Sequence, residues 1–202
     1  MKLAPVKKRK EAPKLLKLDI GCGKNCKPEF EGVDAIDFGQ KHVCDVVKVF
    51  PKHEGKYIRH YKTGIYQAWP WKDNSIDEVH SSHFLEHLTW NERIHFFNEL
   101  FRVMKSGATA TIVTPNWSHE CFYGDPTHQA PASQWYRLYL CKEWRSTQAP
   151  HAPYTCNFPL KDQTCIGTLS EHLLTRNQEY QYAAGQTQIN ATRDLIVTLK
   201  KP

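Results

Sequence analysis

A glycine turn with acidic neighbours is the first group of residues in this sequence suited to chemistry. A short apolar run rich in leucine and isoleucine ends in Gly21 and Gly23, which flank Cys22. Glycine adopts positive φ angles and lets a ligand lie against the main chain, so the pair indicates a binding turn. Asp19 precedes the turn and Asp34 follows it at the end of a second apolar run. Because an acid at a strand tip can accept hydrogen bonds from both hydroxyls of a ribose, the spacing predicts a nucleoside-containing ligand.

The residues after the turn argue against two common nucleotide sites. The dinucleotide fingerprint needs a third glycine at position 26, where this chain has Cys26, which weakens the nicotinamide and flavin interpretation. A phosphate-binding loop ends in Gly-Lys-Ser or Gly-Lys-Thr, but here Asn25 follows Lys24. The sequence therefore excludes a phosphate loop more firmly than a dinucleotide site.

Histidine and glutamate form a second chemical group. His83, Glu86 and His87 fit the pattern H-x-x-E-H, in which two imidazoles one helical turn apart bind zinc. A zinc protease places that pattern inside a long helix with a third ligand downstream, whereas here it begins just after a strand and a new helix cap follows within a few residues. A zinc-dependent hydrolase using this cluster is one alternative function, and a cofactor-binding protein without catalysis is another.

A third group lies in the phrase Gly-Asp-Pro-Thr-His, residues 124–128. Polar residues in a loop are stronger functional candidates than the same residues in a strand. An imidazole titrates near neutral pH, so His128, His83 and His87 are the candidates for a base if the reaction removes a proton. Asp125 before proline is equally typical of a turn that its own side chain stabilises.

Hydrophobic periodicity predicts the elements that position these groups. Apolar runs or alternations predict strands at residues 15–20, 31–36, 42–47, 108–114 and 192–200, and a further strand around Ile76 and Val79. Thr89 and Glu92 form a capping box that opens a helix with an apolar stripe, and Ser106-Gly107 is expected to stop it. Residues 24–30 are too few and too polar for a long helix, so a short helix or a loop is expected there.

At this point the sequence resembles the class I S-adenosylmethionine-dependent methyltransferases. The first motif of that family is similar to Asp-Ile-Gly-Cys-Gly at residues 19–23, and its ribose acid matches Asp34. Further similarity lies in the aromatic-Pro-aromatic phrase and acid-Asn-Ser turn of residues 69–77, the Ser-x-x-Leu-Glu-His-Leu phrase of residues 82–88, and the Lys-x-Gly to Pro-Asn segment of residues 105–116. The resemblance covers roughly residues 15–128.

The resemblance implies a fold, a cofactor and site residues. Strand, helix and strand units predict an α/β fold, a Rossmann-like parallel sheet flanked by helices, and the family closes such a sheet with an antiparallel C-terminal hairpin, for which residues 154–160 and 192–200 are available. The implied cofactor is S-adenosyl-L-methionine, with S-adenosyl-L-homocysteine as the product. The expected cofactor-binding residues are Asp19, Gly21, Cys22, Gly23, Asp34, Asp45, Ser82 and His83, and the candidate catalytic residues are His128 and His83.

Composition sets the remaining expectations. The formal net charge of +6 is accounted for by the first 17 residues, which carry seven lysines and arginines against Glu11. We expect a basic flexible leader at residues 1–14 and one domain at residues 15–202, with lid or insert regions at about 48–70 and 117–153. Seven cysteines without a Cys-x-x-Cys pair, no secretory signal and no apolar run of membrane length predict reduced thiols and a cytoplasmic protein. No metal is expected, the oligomeric state stays open, and the methyl acceptor is unidentified, a small molecule being favoured over nucleic acid.

Overall fold

A computed structural model describes residues 14–48 and 66–202, and in these ranges the chain forms one seven-stranded sheet with helices packed against it. The strands are β1 (Lys17–Ile20), β2 (Glu31–Asp34), β3 (His42–Val43), β4 (Ile76–Ser82), β5 (Met104–Pro115), β6 (Gln163–Leu169) and β7 (Thr192–Lys200). The α-helices are α1 (Trp90–Val103), α2 (Glu120–Tyr123), α3 (Lys142–Gln148) and α4 (Gln178–Thr187). Short 3-10 turns cover Leu85–His87, Gln134–Leu140, Leu160–Asp162 and Glu171–Leu173.

The order of the strands is β3-β2-β1-β4-β5-β7-β6. The first five strands of the chain pair in parallel, and β7 runs antiparallel to both β5 and β6. This arrangement confirms the predicted parallel sheet with an antiparallel C-terminal hairpin. Because parallel strands end at the same edge, the residues that follow β1, β2, β3, β4 and β5 meet at one side of the molecule.

One strand of the hairpin differs from the prediction. β7 occupies residues 192–200 as expected, but its hairpin partner is β6 at Gln163–Leu169 and not residues 154–160. The earlier segment packs on α1, where the side-chain oxygen of Asn98 accepts hydrogen bonds from the backbone amides of Thr155 and Cys156, at 2.8 and 3.1 Å. Its apolar character therefore serves burial beside a helix and not a place in the sheet.

Helix α1 begins as predicted and ends earlier. The Thr89 side chain accepts from the Glu92 amide and the Glu92 carboxylate accepts from the Thr89 amide, which confirms the capping box. The helix stops at Val103, ahead of Ser106-Gly107, and β5 begins at once. The amides of Asn74 and Ser75 satisfy the carbonyls of Arg102 and Val103, at 3.0 and 2.8 Å, so contacts from another segment of the chain end the helix.

Other expectations can be placed on the same structure. Residues 24–30 form turns and no helix, and the third strand is only two residues long. The leader up to residue 13 and residues 49–65 of the first insert lie outside the described residues. All seven cysteines are within the described ranges and are free. In those ranges no helix has the length and apolar character needed to cross a membrane.

Asp77, near the start of β4, contacts the residue before β1 and the start of β5, and its ion pair makes a testable contribution to stability. Its carboxylate accepts from the Leu16 amide at 2.8 Å and pairs with the Lys105 ammonium at 2.7 Å. The hydrogen bond from Lys105 lowers the pKa of Asp77 below its ordinary value. A carboxylate with a lowered folded-state pKa stabilises the fold above its unfolded-state pKa, and that contribution is lost as the pH falls through the folded-state value.

We therefore expect Asp77→Asn to lower the melting temperature at pH 7 and to reduce the further loss on acidification from about pH 5 to pH 2.5, compared with the wild type. Thermal melts followed by circular dichroism at a series of pH values measure this difference. Asn at the exposed Asp37 is the control, and its melting curve should follow the wild type. Parallel pH profiles for Asp77→Asn and the wild type would contradict a role for the ion pair.

Candidate cofactor and acceptor site

The turn after β1 is held against the end of β2. The amides of Gly21 and Cys22 both donate to the carbonyl oxygen of Val33, at 2.8 and 3.3 Å. Gly21 and Gly23 have φ angles of +69° and +53°, a region that side chains disfavour. The amide of Gly23 donates to Asp34 Oδ2 at 2.9 Å. The glycine turn and the acid predicted to bind ribose are therefore in direct contact.

The carboxylate of Asp34 keeps the capacity to accept further hydrogen bonds. Its Oδ2 accepts from Gly23 and its Oδ1 accepts from the Ile36 amide at 3.0 Å. Each carboxylate oxygen has two lone pairs, so one acceptor position stays available on each. The side chain is half-buried at the carboxyl end of β2, where both positions can face a ligand.

The two glycines have different surroundings. A Cβ atom built on Gly21 would overlap the ring of Phe84, which in turn packs against Phe96 in the core. A Cβ atom built on Gly23 would meet no heavy atom within 4 Å. The sequence suggested that both glycines make room for a ligand. The structure shows that Gly21 makes room for an aromatic side chain, while the space beside Gly23 is open.

Asp19 and Cys22 face the protein interior. Asp19 is only 3% exposed. Its Oδ1 lies 2.7 Å from His80 Nδ1 and its Oδ2 accepts from the Lys27 amide at 2.7 Å, so it joins β4 to the segment after the turn. Burial raises the pKa of the Cys22 thiol to about 11, which keeps the sulfur protonated at neutral pH. Its thiol packs beside Gly32, where a Cβ atom would lie 2.9 Å from the sulfur.

Asp45 and Ser82 lie at the same sheet edge as the turn. Asp45 follows β3, is exposed, and accepts from the Val47 amide at 2.9 Å. The neighbouring carbonyl of Val46 accepts from the indole nitrogen of buried Trp69 at 2.8 Å, which fixes this segment. Ser82 is the last residue of β4 and is half-buried. Both residues are thus placed where the sequence predicts a cofactor.

His83 is the first residue beyond β4 and has a strained backbone. Its φ angle is +52° and its side chain is 52% exposed. Nδ1 lies 3.2 Å from Glu86 Oε1, and this hydrogen bond raises the pKa of His83. Nε2 lies 4.0 Å from Asp194 Oδ1, a buried atom without a hydrogen-bond partner among the described residues. No motif in the sequence pointed to Asp194, because this residue reaches the site only through the pairing of β7 with β5 at Pro115.

The His-x-x-Glu-His pattern does not form a zinc helix. Glu86 and His87 lie in a three-residue 3-10 turn, and Glu86 is 1% exposed with Oε2 accepting from the Thr114 hydroxyl at 3.2 Å. The ring of His87 contacts that of His128 instead, with 4.8 Å between ring centres. Among the described residues, Glu86, His87 and His128 each place one potential ligand atom within 4.8 Å of the others. The second histidine of this cluster is therefore His128 and not His83, which the sequence pattern had indicated.

Buried Arg93 holds the backbone around Glu86, His87 and His128, and it was not among the residues predicted from the sequence. The side chain is 4% exposed and donates to the carbonyls of Leu85, Ala130 and Pro131. These contacts join the turn that carries Glu86 to the loop that carries His128. A sequence signal existed, since Arg93 stands three and four residues before Phe96 and Phe97, on the apolar stripe of α1.

Comparison with known proteins agrees with this geometry. Residues 18–112 match a family model described as a methyltransferase domain. A solved S-adenosylmethionine-dependent methyltransferase from Archaeoglobus fulgidus is 22% identical, with 94% of this chain and 87% of that chain covered and a TM-score of 0.57. Geranyl diphosphate C-methyltransferase from Streptomyces coelicolor A3(2) is 12% identical over 94% of this chain and 70% of that chain, with a TM-score of 0.49.

Comparison with curated proteins finds no matching sequence. The structural likeness shows the fold, and the matched domain runs from β1 into β5, through the glycine turn and the acid at the end of β2. The comparisons give no support to a zinc-dependent hydrolase. Residues 18–112 are thus similar to a methyltransferase domain, and the chain shares the fold of the Archaeoglobus fulgidus protein.

Proposed function

We propose that the protein binds S-adenosylmethionine at the open space beside Gly23 and Asp34 and transfers its methyl group to a small-molecule acceptor. The observation that carries this proposal is the 2.9 Å hydrogen bond from the Gly23 amide to Asp34. It holds a carboxylate beside Gly23, where an added Cβ atom would meet no heavy atom within 4 Å, and this supports the proposal. Both features are needed to hold a nucleoside against a strand edge.

The remaining contacts follow from the order of the strands. Asp34 accepts from the ribose hydroxyls, and Asp45, one strand further out, lies on the adenine side. Ser82 and His83, at the end of β4, lie on the opposite side of the turn. Asp19 and Cys22 support the turn from the protein interior. The Asp19 carboxylate already forms hydrogen bonds with the His80 ring and the Lys27 amide.

Methyl transfer requires alignment of the cofactor and the acceptor more than activation of either one. The sulfonium of the cofactor already activates the methyl carbon. A lone pair of the acceptor bonds to that carbon while the C–S bond breaks and its electron pair returns to sulfur. The main work of the protein is to align the two reactants and exclude water. A base is needed only for an acceptor atom that must lose a proton, and His83 and His128 are then the candidates.

Two features favour a small molecule over nucleic acid as the acceptor. The Asn/Asp-Pro-Pro-aromatic motif that would hold an exocyclic amine of a base after strand four is absent, since residues 80–84 read His-Ser-Ser-His-Phe. The positive charge is concentrated in the first 17 residues, and the rest of the chain is balanced. A nucleic-acid-binding surface would be expected to place basic residues around the site itself.

One prediction from this proposal concerns Asp34. Asp34→Ala removes hydrogen bonds to the ribose worth about 1.5 to 3 kcal/mol each, so affinity for S-adenosylhomocysteine should fall about tenfold or more. Isothermal titration calorimetry measures the change. Asp37→Ala is the matched control, because Asp37 also caps a nearby amide, that of Gly39 at 2.9 Å, but is exposed beyond the end of β2. Equal affinity of the two variants would contradict the ribose assignment.

A second prediction separates the two glycines. Gly21→Ala should destabilise the fold by about 1 to 3 kcal/mol, because the added methyl overlaps the Phe84 ring. Gly23→Ala should lower cofactor affinity more than stability, since its methyl enters the open space beside Asp34. Urea unfolding and S-adenosylhomocysteine titration of both variants measure the two effects. Wild-type affinity in folded Gly23→Ala would place the cofactor elsewhere.

The acceptor is tested with methyl-labelled S-adenosylmethionine. The purified protein is incubated with a cell extract that has been separated into small-molecule, protein and nucleic-acid fractions. We expect label in the small-molecule fraction, and at least about fivefold less with Asp34→Ala at cofactor concentrations near the wild-type Kd. Label confined to the nucleic-acid fraction would contradict the acceptor class while leaving the cofactor site intact.

A further inference from the structure

We propose that Glu86, His87 and His128 bind a divalent transition-metal ion at the carboxyl end of β4 and β5. One potential ligand atom of each residue lies within 4.8 Å of the other two. Ligands bonded to one ion at about 2.0 to 2.2 Å lie about 3 to 4 Å apart, so small side-chain rotations close the site. The inference goes beyond methyl transfer and does not depend on where the cofactor binds.

The hydrogen bonds of His87 fix which of its nitrogens is free. Thr127 Oγ1 lies 2.7 Å from Asp125 Oδ1 and 3.0 Å from His87 Nδ1. A carboxylate only accepts, so the single hydroxyl hydrogen points to Asp125, and the Thr127 oxygen accepts from His87 Nδ1–H. Neutral His87 therefore carries its lone pair on Nε2. A histidine that binds a metal through one nitrogen and donates from the other to a fixed acceptor has this arrangement.

His128 is held in the same tautomer by a different partner. Its Nδ1 lies 2.6 Å from the carbonyl oxygen of Phe122, which can only accept, so Nδ1 carries the hydrogen and Nε2 carries the lone pair. Nε2 is 3.8 Å from Asp125 Oδ2. In the neutral state a lone pair and a carboxylate oxygen face each other there with no hydrogen between them. A cation placed among these atoms would turn that repulsion into attraction.

Glu86 supplies the negative charge. Its carboxylate is buried, and its two oxygens interact with His83 Nδ1 and the Thr114 hydroxyl, at 3.2 Å each. Each oxygen keeps a second lone pair, so the carboxylate can bind an ion without giving up either contact. These outer contacts orient the carboxylate as partners around known metal ligands do.

The fold holds the three ligands in place without an ion. Arg93 donates to the carbonyls of Leu85, Ala130 and Pro131, and the amide of Gln129 donates to the Glu86 carbonyl at 2.8 Å. These hydrogen bonds hold the loop that follows His128 against the turn that contains Glu86. Because the main-chain positions are fixed by contacts outside the cluster, little ordering is required when an ion binds.

The ligand types indicate the class of ion. Two imidazoles with one carboxylate suit zinc, iron or similar transition ions, whereas magnesium and calcium prefer oxygen ligands throughout. Three protein ligands leave at least one coordination position open. Such a position is available to water or to an oxygen of the acceptor.

The test uses the full chain and Zn²⁺ as the probe, with Mg²⁺ in parallel. Equilibrium dialysis measures stoichiometry and affinity for the wild type, His87→Ala, His128→Ala and Thr127→Val. We expect one Zn²⁺ site in the wild type that the two histidine variants lose. Thr127→Val removes the hydroxyl that accepts from His87 and donates to Asp125, leaves all three ligands in place, and should weaken the site about 10- to 100-fold. His172→Ala changes an exposed histidine elsewhere and should bind as the wild type does.

Each alternative result overturns the proposal. Equal Zn²⁺ binding by the wild type and the histidine variants would place any zinc elsewhere, for example at the cysteines. Equal loss in His172→Ala would indicate nonspecific binding, and tighter binding of Mg²⁺ than Zn²⁺ would exclude the proposed class of ion. Circular dichroism checks the fold of each variant. Titration of the same proteins with S-adenosylhomocysteine keeps this outcome separate from that of the cofactor site, because His87→Ala should retain cofactor affinity.

Discussion

The parallel pairing of β1 with β2 on one side and β4 on the other is the constraint on which the rest of the structure depends. Asp19 lies opposite Gly32 in β2 and opposite His80 in β4. This register brings the Asp19 carboxylate to His80 and leaves the glycine turn, Asp34 and Ser82 at one edge. A shift of one residue in either pairing would turn Asp19 to the opposite face of the sheet and separate the turn from Asp34.

A buried cation organises the other half of the site. Arg93 is surrounded by protein, which lowers its pKa through desolvation, and three backbone carbonyls surround its guanidinium. A buried charge without partners would be strongly destabilising, so the loop at residues 128–131 and the turn at Leu85–His87 must both stay in contact with it. The candidate site thus has two parts with different supports: the glycine turn with Asp34, which strand pairing positions, and the His87–His128 cluster, whose flanking backbone Arg93 holds.

Local sequence determined most of the elements. The apolar runs located β1, β2, β4, β5 and β7, and the Thr89–Glu92 capping box located the start of α1, because each depends on residues that are close in the chain. The end of α1 and the hairpin partner of β7 depended on distant residues. Asn74 and Ser75 end the helix, and Asn98 draws residues 155 and 156 away from the sheet. The hydrophobic periodicity of α1 and of residues 154–160 contains no information about such contacts.

The same distinction holds for the site. The sequence by itself determined the glycine turn, the acid Asp34 and the similarity to a methyltransferase domain, because backbone freedom and a charge at a strand tip are visible as residue types at a short spacing. Only the tertiary structure decided that Gly21 accommodates Phe84 while Gly23 stays open, that Asp194 reaches His83, and that His128 rather than His83 joins Glu86 and His87. These outcomes depend on contacts between segments 40 to more than 100 residues apart, and packing sets those distances.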